Sequence, residues 1–351
     1  MSETSPVRSG EHIDAERLRK YLEPHLGPWP SEPLRITQFV HGRSNLTYLL
    51  QVGDWQAVLR RPPYGTLAPR SHDMAREFAW LQAIHPVFPW APNPLWLCTD
   101  PEVIGATFLV MEKLPGVVVA ERFPTSVSYT PELGAQLCQL MADRLIDLHR
   151  IPWEMTQVGT WVKPEGFLQR QVRGWIDRYQ KAKIRPVKGE EALIDWLVAH
   201  IPLGRAPTLI HYDYKLNNVS FRPDWTDIAG VFDWEMATVG DPLVDLAVAM
   251  SYWVEETDPP WLQDVLGPSV TTWPGFWTRH QWLEVYSRQS GRRVDNWPFY
   301  LTFAYFKLGV IVAQIYARYA HGQTQDNRFQ SFDQLTEQLI QYALATCLNT
   351  R

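Results

Sequence analysis

The sequence predicts an α+β protein of two lobes, a small and mostly antiparallel β N-terminal lobe followed by a mainly helical C-terminal lobe. Three observations carry this. Short β-rich runs broken by glycine turns fill the stretch from Leu34 to Met111, long helical periodicities take over from Pro131, and a single β-rich island, Thr208 to Phe232, interrupts the helical half.

Residues 1–29 read as a tail and a helix. The opening MSETSPVRSG is polar and lacks an apolar stretch, so a loose tail is expected rather than a signal peptide or anchor. His12 to Leu26 then has amphipathic helical spacing. The N-terminal lobe spans 30–113. Leu34–Val40, Leu46–Val52 and Trp55–Arg61 read as strands, with Gly42 and Gly53-Asp54 as turns between them. Ser71 to Ile84 reads as a helix capped by Ser71 with Pro86 beyond its end, and strands near Pro94–Cys98 and Thr107–Met111 complete the sheet. The β pattern stops at Glu112-Lys113-Leu114-Pro115-Gly116. Residues 114–351 form the helical lobe, with helices expected over 131–150, 165–184, 189–200, 275–289, 297–321 and near 329–347.

Composition narrows the partners. The 351 residues are 45% hydrophobic and 20% charged, as in ordinary globular chains, and the formal net charge of -5 offers no basic field for nucleic acid or an anionic membrane. Cys98, Cys138 and Cys347 lie far apart without metal-ligand spacing, so reduced thiols and a cytoplasmic setting are expected. The apolar stretch from Leu308 to Tyr316, bracketed by Lys307 and Arg318, falls short of the roughly 20 residues of a membrane span and reads as a buried helix. Seventeen tryptophans read mainly as core filling.

The chemistry sits in the island, LIHYDYKLNNVSF followed by IAGVFDWEMATVGDPLVDLA. His211, Asp213, Lys215 and Asn218 lie on a loop between apolar runs, and Asp233 ends the next run fifteen residues after Asn218. Phosphoryl transfer needs an Asp at the acceptor hydroxyl and oxygen ligands for magnesium, roles that suit Asp213 and the pair Asn218 and Asp233. Lys215 is placed to neutralise the transferring phosphoryl group. Each residue alone reads first as a turn former or helix cap. The combined pattern H-x-D-x-x-x-x-N with a strand-ending Asp at that distance points to chemistry.

This pattern resembles the aminoglycoside phosphotransferase and choline kinase-like family, whose motif matches His211, Asp213 and Asn218, with Asp233 at the second metal-binding position. Gly240-Asp241-Pro242 and Asp245-Leu246-Ala247 also match. There the resemblance implies that Asp241 and Asp245 support the loop and cap a helix. It implies a bilobal protein-kinase-like fold and an ATP- and magnesium-dependent phosphotransferase with an alcohol acceptor. His41-Gly42-Arg43-Ser44-Asn45 resembles the loop over the ATP phosphates, although an ordinary hairpin turn would carry the same residues. Val58 and Arg60 share a strand face, and Arg60 stands where kinases place a phosphate-binding Lys, with Glu77 as its partner. Met111, Glu112 and Lys113 resemble the segment joining the lobes, whose backbone would bond the adenine edge.

S-N-L-T-Y, V-L-R-R-P-P, H-D-M-A-R-E and H-Y-D-Y-K-L-N-N are most similar to the kinase-like modules fused to some acyl-CoA dehydrogenases, over about residues 30–320. That likeness implies a hydroxyacyl-CoA or related metabolite as acceptor. Arg170 and Arg173, with Arg178, are candidates to meet its anionic groups, or they form a solvated helix face beside Asp177. An aminoglycoside or amino alcohol would want an acidic cleft, and only Glu255-Glu256 with Asp258 offers acidic density. The rival class is a nucleotide-binding scaffold without turnover, suggested by Arg60 and the single glycine of the phosphate loop.

Overall fold

The computed structural model describes residues 4–26, 32–39, 45–64, 73–119, 121–324 and 326–348. The chain forms two units, Met1–Val117 with Ala229–Glu235, and Val118–Ile228 with Met236–Arg351.

The first unit is built on a six-stranded sheet. Its strands are β1 (Thr4–Ser5), β2 (Arg35–Phe39), β3 (Leu46–Val52), β4 (Trp55–Arg61), β5 (Pro94–Cys98) and β6 (Phe108–Glu112), in the order β1-β2-β3-β4-β6-β5 with every neighbouring pair antiparallel. The tail expected to be loose thus contributes a short edge strand, with Thr4 opposite Phe39. Strict alternation in β3 buries Leu46, Tyr48, Leu50 and Val52 on one face. That face joins Ala57, Leu59, Phe108 and Val110 to Leu18 and Leu22 of α1 (Ala15–Leu26) and Ile104 of α3 (Pro101–Ile104).

On β4 the opposite face carries Val58 and Arg60, directed away from that core toward α2 (Met74–Ile84). Ser71, expected to cap α2, lies outside the described residues. Asp73 does that work, its side chain accepting the Arg76 amide at 3.0 Å.

Residues 229–235 belong to this first unit, whereas the division at 113/114 grouped them with the helical half. Two contacts explain it. The Val231 amide donates to the Trp90 carbonyl at 2.8 Å, and the Trp234 ring packs edge-on against Phe88 at 5.7 Å.

After β7 (Val117–Val118), the second unit consists of α4 (Pro131–Arg150), α5 (Phe167–Ala182), α6 (Glu190–Ala199), β8 (Thr208–Ile210), β9 (Val219–Phe221), and, past β10 (Ile228–Val231), β11 (Thr238–Gly240), α7 (Pro242–Ser251), α8 (Pro260–Leu266), α9 (Arg279–Ser290), α10 (Trp297–Ala320) and α11 (Phe332–Leu348). The helix α10 is its axis, packed against α5, α7 and α11. Contrary to the sequence expectation, α10 is long and apolar enough to cross a membrane, but 72% of its most apolar stretch is buried against its neighbours, as in the core helix of a globular unit.

Two features aim the loop after β8. Antiparallel pairing of β8 with β11 sets Ile210 opposite Thr238 and Gly240 opposite Thr208, so the start of α7 lies beside the strand that feeds the loop. A side chain at Gly240 would meet the Phe167 ring at 2.5 Å, so only glycine permits this approach. At the start of α7, Asp241 accepts the Leu243 amide at 2.9 Å, the Arg205 amide at 3.1 Å and the Tyr300 hydroxyl at 2.9 Å.

Candidate active site

In the first unit, polar chemistry collects around Arg60, which is 5% exposed. Its guanidinium donates to Glu77 Oε1 at 2.8 Å and to Asp233 Oδ1 at 2.6 Å, with Glu235 Oε2 at 3.4 Å. A planar fork addresses two carboxylates at once, which an ammonium could not do with the same geometry. Asn45 donates to Glu235 Oε2 at 2.7 Å, and Arg76 donates to the Glu235 carbonyl at 2.6 Å. Asp233 stands at φ 64, a left-handed conformation that a short polar side chain tolerates better than most and that clusters at functional positions.

Glu77 is 2% exposed, and among the described residues its Oε2 has no hydrogen-bond partner. Burial pushes its pKa up to about 7 against the opposing pull of Arg60. Between about 4.5 and 7 the native state holds a proton that the unfolded chain has released, so this contribution to stability is fully present below about 4.5 and is lost as the pH rises through about 7. Glu77→Gln is expected to flatten that slope in urea midpoints measured across the interval. Arg60→Met should destabilise the protein by about 3–5 kcal/mol, because it strands a buried carboxylate. Chemical denaturation at pH 7.5 reads that loss.

Val58 and Met111 are cross-strand partners, each 8% exposed, on the same sheet face as Arg60. They form an apolar floor beside it. The Glu112 amide donates to the Asn93 carbonyl at 2.8 Å. Lys113 follows β6 immediately. Gly42 and Ser44 of the expected phosphate loop lie outside the described residues.

In the second unit, the loop from His211 to Asn218 is tightly tied. Asp245 on α7 is fully buried and accepts the His211 amide at 2.7 Å, the Tyr212 amide at 2.7 Å and His149 Nε2 at 3.1 Å. The Asp213 amide donates to His211 Nδ1 at 3.2 Å, which leaves the ring proton on Nε2. His211 therefore shapes the turn that presents Asp213.

Asn218 Nδ2 donates to both the carbonyl and Oδ2 of Asp213 at 2.9 Å. Both partners are pure acceptors, so the amide orientation is determined and Asn218 Oδ1 is turned to the other side. Lys215 Nζ lies 2.9 Å from the same Asp213 Oδ2 and 4.7 Å from the centre of the Tyr252 ring. Among the described residues nothing donates to Asp213 Oδ1. One carboxylate oxygen is thus anchored by two side chains.

Arg170 and Arg173 are exposed on α5. Arg170 donates to the carbonyls of Lys163 and Glu165, so its guanidinium closes the turn before its own helix. Two residues escaped the sequence reading. Glu235 stands two positions after Asp233 and gave no signal beyond its charge. Lys307, read as the polar edge of an apolar stretch, is 2% exposed in the middle of α10. A lone lysine inside an otherwise apolar helical run was the available cue.

Among the described residues no cluster of three or more His, Cys, Asp or Glu side chains could hold a metal, so a closed zinc-type centre finds no support there.

The fold is that of the kinase-like phosphotransferases. A proposed aminoglycoside phosphotransferase from Ralstonia eutropha superposes with a TM-score of 0.79 at 24% identity, covering 97% of this chain and 100% of that one. Choline kinase from Cryptosporidium parvum does so with a TM-score of 0.63 at 12% identity over 96% of this chain and 97% of its own. A thermostable mutant of aminoglycoside phosphotransferase APH(4)-Ia, solved with AMP-PNP and hygromycin B, gives 0.62 at 16% identity, covering 96% and 100%.

The chain belongs to the phosphotransferase enzyme family, whose sequence profile matches residues 35–274. Among curated proteins, acyl-CoA dehydrogenase family member 10 of Mus musculus is 32% identical over 97% of this chain, and member 11 of Homo sapiens is 30% identical over 98%. The chain spans 32% and 44% of the length of those two relatives.

Proposed function

We propose that this chain is an ATP- and magnesium-dependent phosphotransferase acting on a hydroxyl group of a small molecule. The observation that carries the reading is Asp213, with Oδ2 fixed by Asn218 and Lys215. Asp213 Oδ1 accepts the hydroxyl proton of the acceptor as its oxygen attacks the terminal phosphoryl group. Lys215 balances charge that develops on the transferred group, and Arg60 does the same for the phosphates that remain. Magnesium, when bound, supplies charge neutralisation at the phosphates, with Asn218 and Asp233 as its protein ligands. Val58 and Met111 furnish an apolar surface for the base, and Lys113 a backbone contact to its edge.

For the acceptor we favour a hydroxyacyl-CoA or related carboxylic metabolite, because the relatives at 30–32% identity carry acyl-CoA dehydrogenase names. Arg173 and Arg178 are the remaining candidates for the anionic part of such a substrate, since Arg170 is bonded within its own turn. ATP consumption with and without magnesium across hydroxyacyl-CoAs, free hydroxy acids, amino alcohols and aminoglycosides tests both halves of the reading. A magnesium-dependent signal confined to the acyl-CoA class is the expected result.

One observation favours a second reading. Arg60 holds Asp233 at 2.6 Å, which ties up a proposed metal ligand. A nucleotide-binding module without turnover would bind ATP in calorimetry yet consume none with any acceptor.

A further inference from the structure

Lys307 is an anomaly in α10. Its neighbours along the buried face are apolar or aromatic, including Phe303, Ala304, Phe306, Leu308 and Val310, and a Leu or Met would fill the same volume. Its ammonium lies 4.7 Å from the centre of the Tyr212 ring and 5.3 Å from that of Trp175, and donates to the Tyr212 carbonyl at 3.4 Å. Among the described residues no carboxylate lies within ion-pair distance of it. A buried cation held only by two ring faces and one carbonyl is costly, and burial lowers its pKa to about 8, with Asp213 and Asp245 pulling it back up and Lys215 and Arg178 pushing it further down. Folding alone would not retain such a group.

What it touches is informative. Tyr212 immediately precedes Asp213 and sits at φ 67, a conformation that a bulky side chain adopts only when its surroundings impose it. Three elements impose it. Asp245 of α7 takes its amide at 2.7 Å, Trp175 of α5 donates to its hydroxyl at 3.1 Å while that hydroxyl donates to Gln171 Oε1 at 3.1 Å, and Lys307 of α10 takes its carbonyl. The peptide linking Tyr212 to Asp213 is therefore gripped through that carbonyl from α10, which sets the direction in which the Asp213 side chain leaves the turn.

We propose that Lys307 is a positioning residue: through the Tyr212 carbonyl and ring it locks the strained turn that presents Asp213, at a cost in stability. The proposal rests on the role given to Asp213 above. It separates stability from function, since a residue kept for packing would lose both together when removed.

The test compares Lys307→Met and Lys307→Arg with the parent chain in melting temperature, amide hydrogen exchange of residues 211–218, and magnesium-dependent ATP turnover on the best acceptor. Lys307→Met should melt higher, exchange faster across 211–218 by about tenfold or more, and lose about 10²-fold in kcat with KM for ATP little changed, as for a misplaced reacting group. Lys307→Arg, which keeps the charge and the donors, should recover much of the protection. Unchanged exchange in Lys307→Met overturns the proposal whatever its turnover. So does a variant that melts lower or fails to fold, which would make Lys307 a packing residue. Exchange and melting require no acceptor, so a parent chain without turnover would sink the kinase reading while leaving Lys307 to be judged on these two measurements.

Discussion

Asp213→Asn is expected to reduce phosphoryl transfer by at least about 10²–10⁴-fold, the range attributed to a positioned proton acceptor. The argument is geometric. Oδ2 already serves Asn218 Nδ2 and Lys215 Nζ at 2.9 Å each, so an asparagine in this place keeps its carbonyl toward those two donors and turns its amino group outward. The acceptor hydroxyl then meets a donor where it needs a base. Little else changes, because the Asp213 amide still binds His211 Nδ1 and the fold around the loop is held from Asp245. Nucleotide affinity by calorimetry should stay near that of the parent, which separates this variant from one that merely unfolds. Near-parental turnover would end the assignment of Asp213 as base.

Asp245→Asn should lower stability by an amount on the order of 3–5 kcal/mol, as when one member of a buried charged network is removed. The carboxylate is fully buried and accepts from two backbone amides and a buried histidine whose other nitrogen pairs with the Tyr286 hydroxyl at 2.8 Å. An asparagine supplies one acceptor oxygen and an amino group, and that amino group must face the amide of His211 or Tyr212. A buried unsatisfied donor results. Because the Tyr212 amide is one of the two, the turn at φ 67 relaxes and turnover falls with stability. Urea titration together with ATP consumption checks both, and parental stability would show that these short bonds contribute little.

Much of the fold was readable from local pattern. The alternation in Leu46–Val52 announced a half-buried strand because side-chain direction in a strand depends only on parity, and the helices from Pro131 onward declared themselves by spacing for the same reason. Errors fell where a neighbour in space decided. The opening tail became an edge strand once β2 offered a partner, and Asp73 caps α2 because a cap depends on where the first turn starts.

The candidate site divides along the same line. His211, Asp213, Lys215 and Asn218 lie within eight residues, and a loop that short can bring its own side chains together, so the spacing alone pointed to phosphoryl chemistry. Only the tertiary structure decided which oxygen of Asp213 is anchored, that Arg60 reaches Asp233 across 173 positions, that Asp245 ties the loop from 34 positions away, and that Lys307 grips it from 95. Those contacts form when folding removes water and leaves buried charges no other partners, and no local pattern in a chain encodes which distant group will be there.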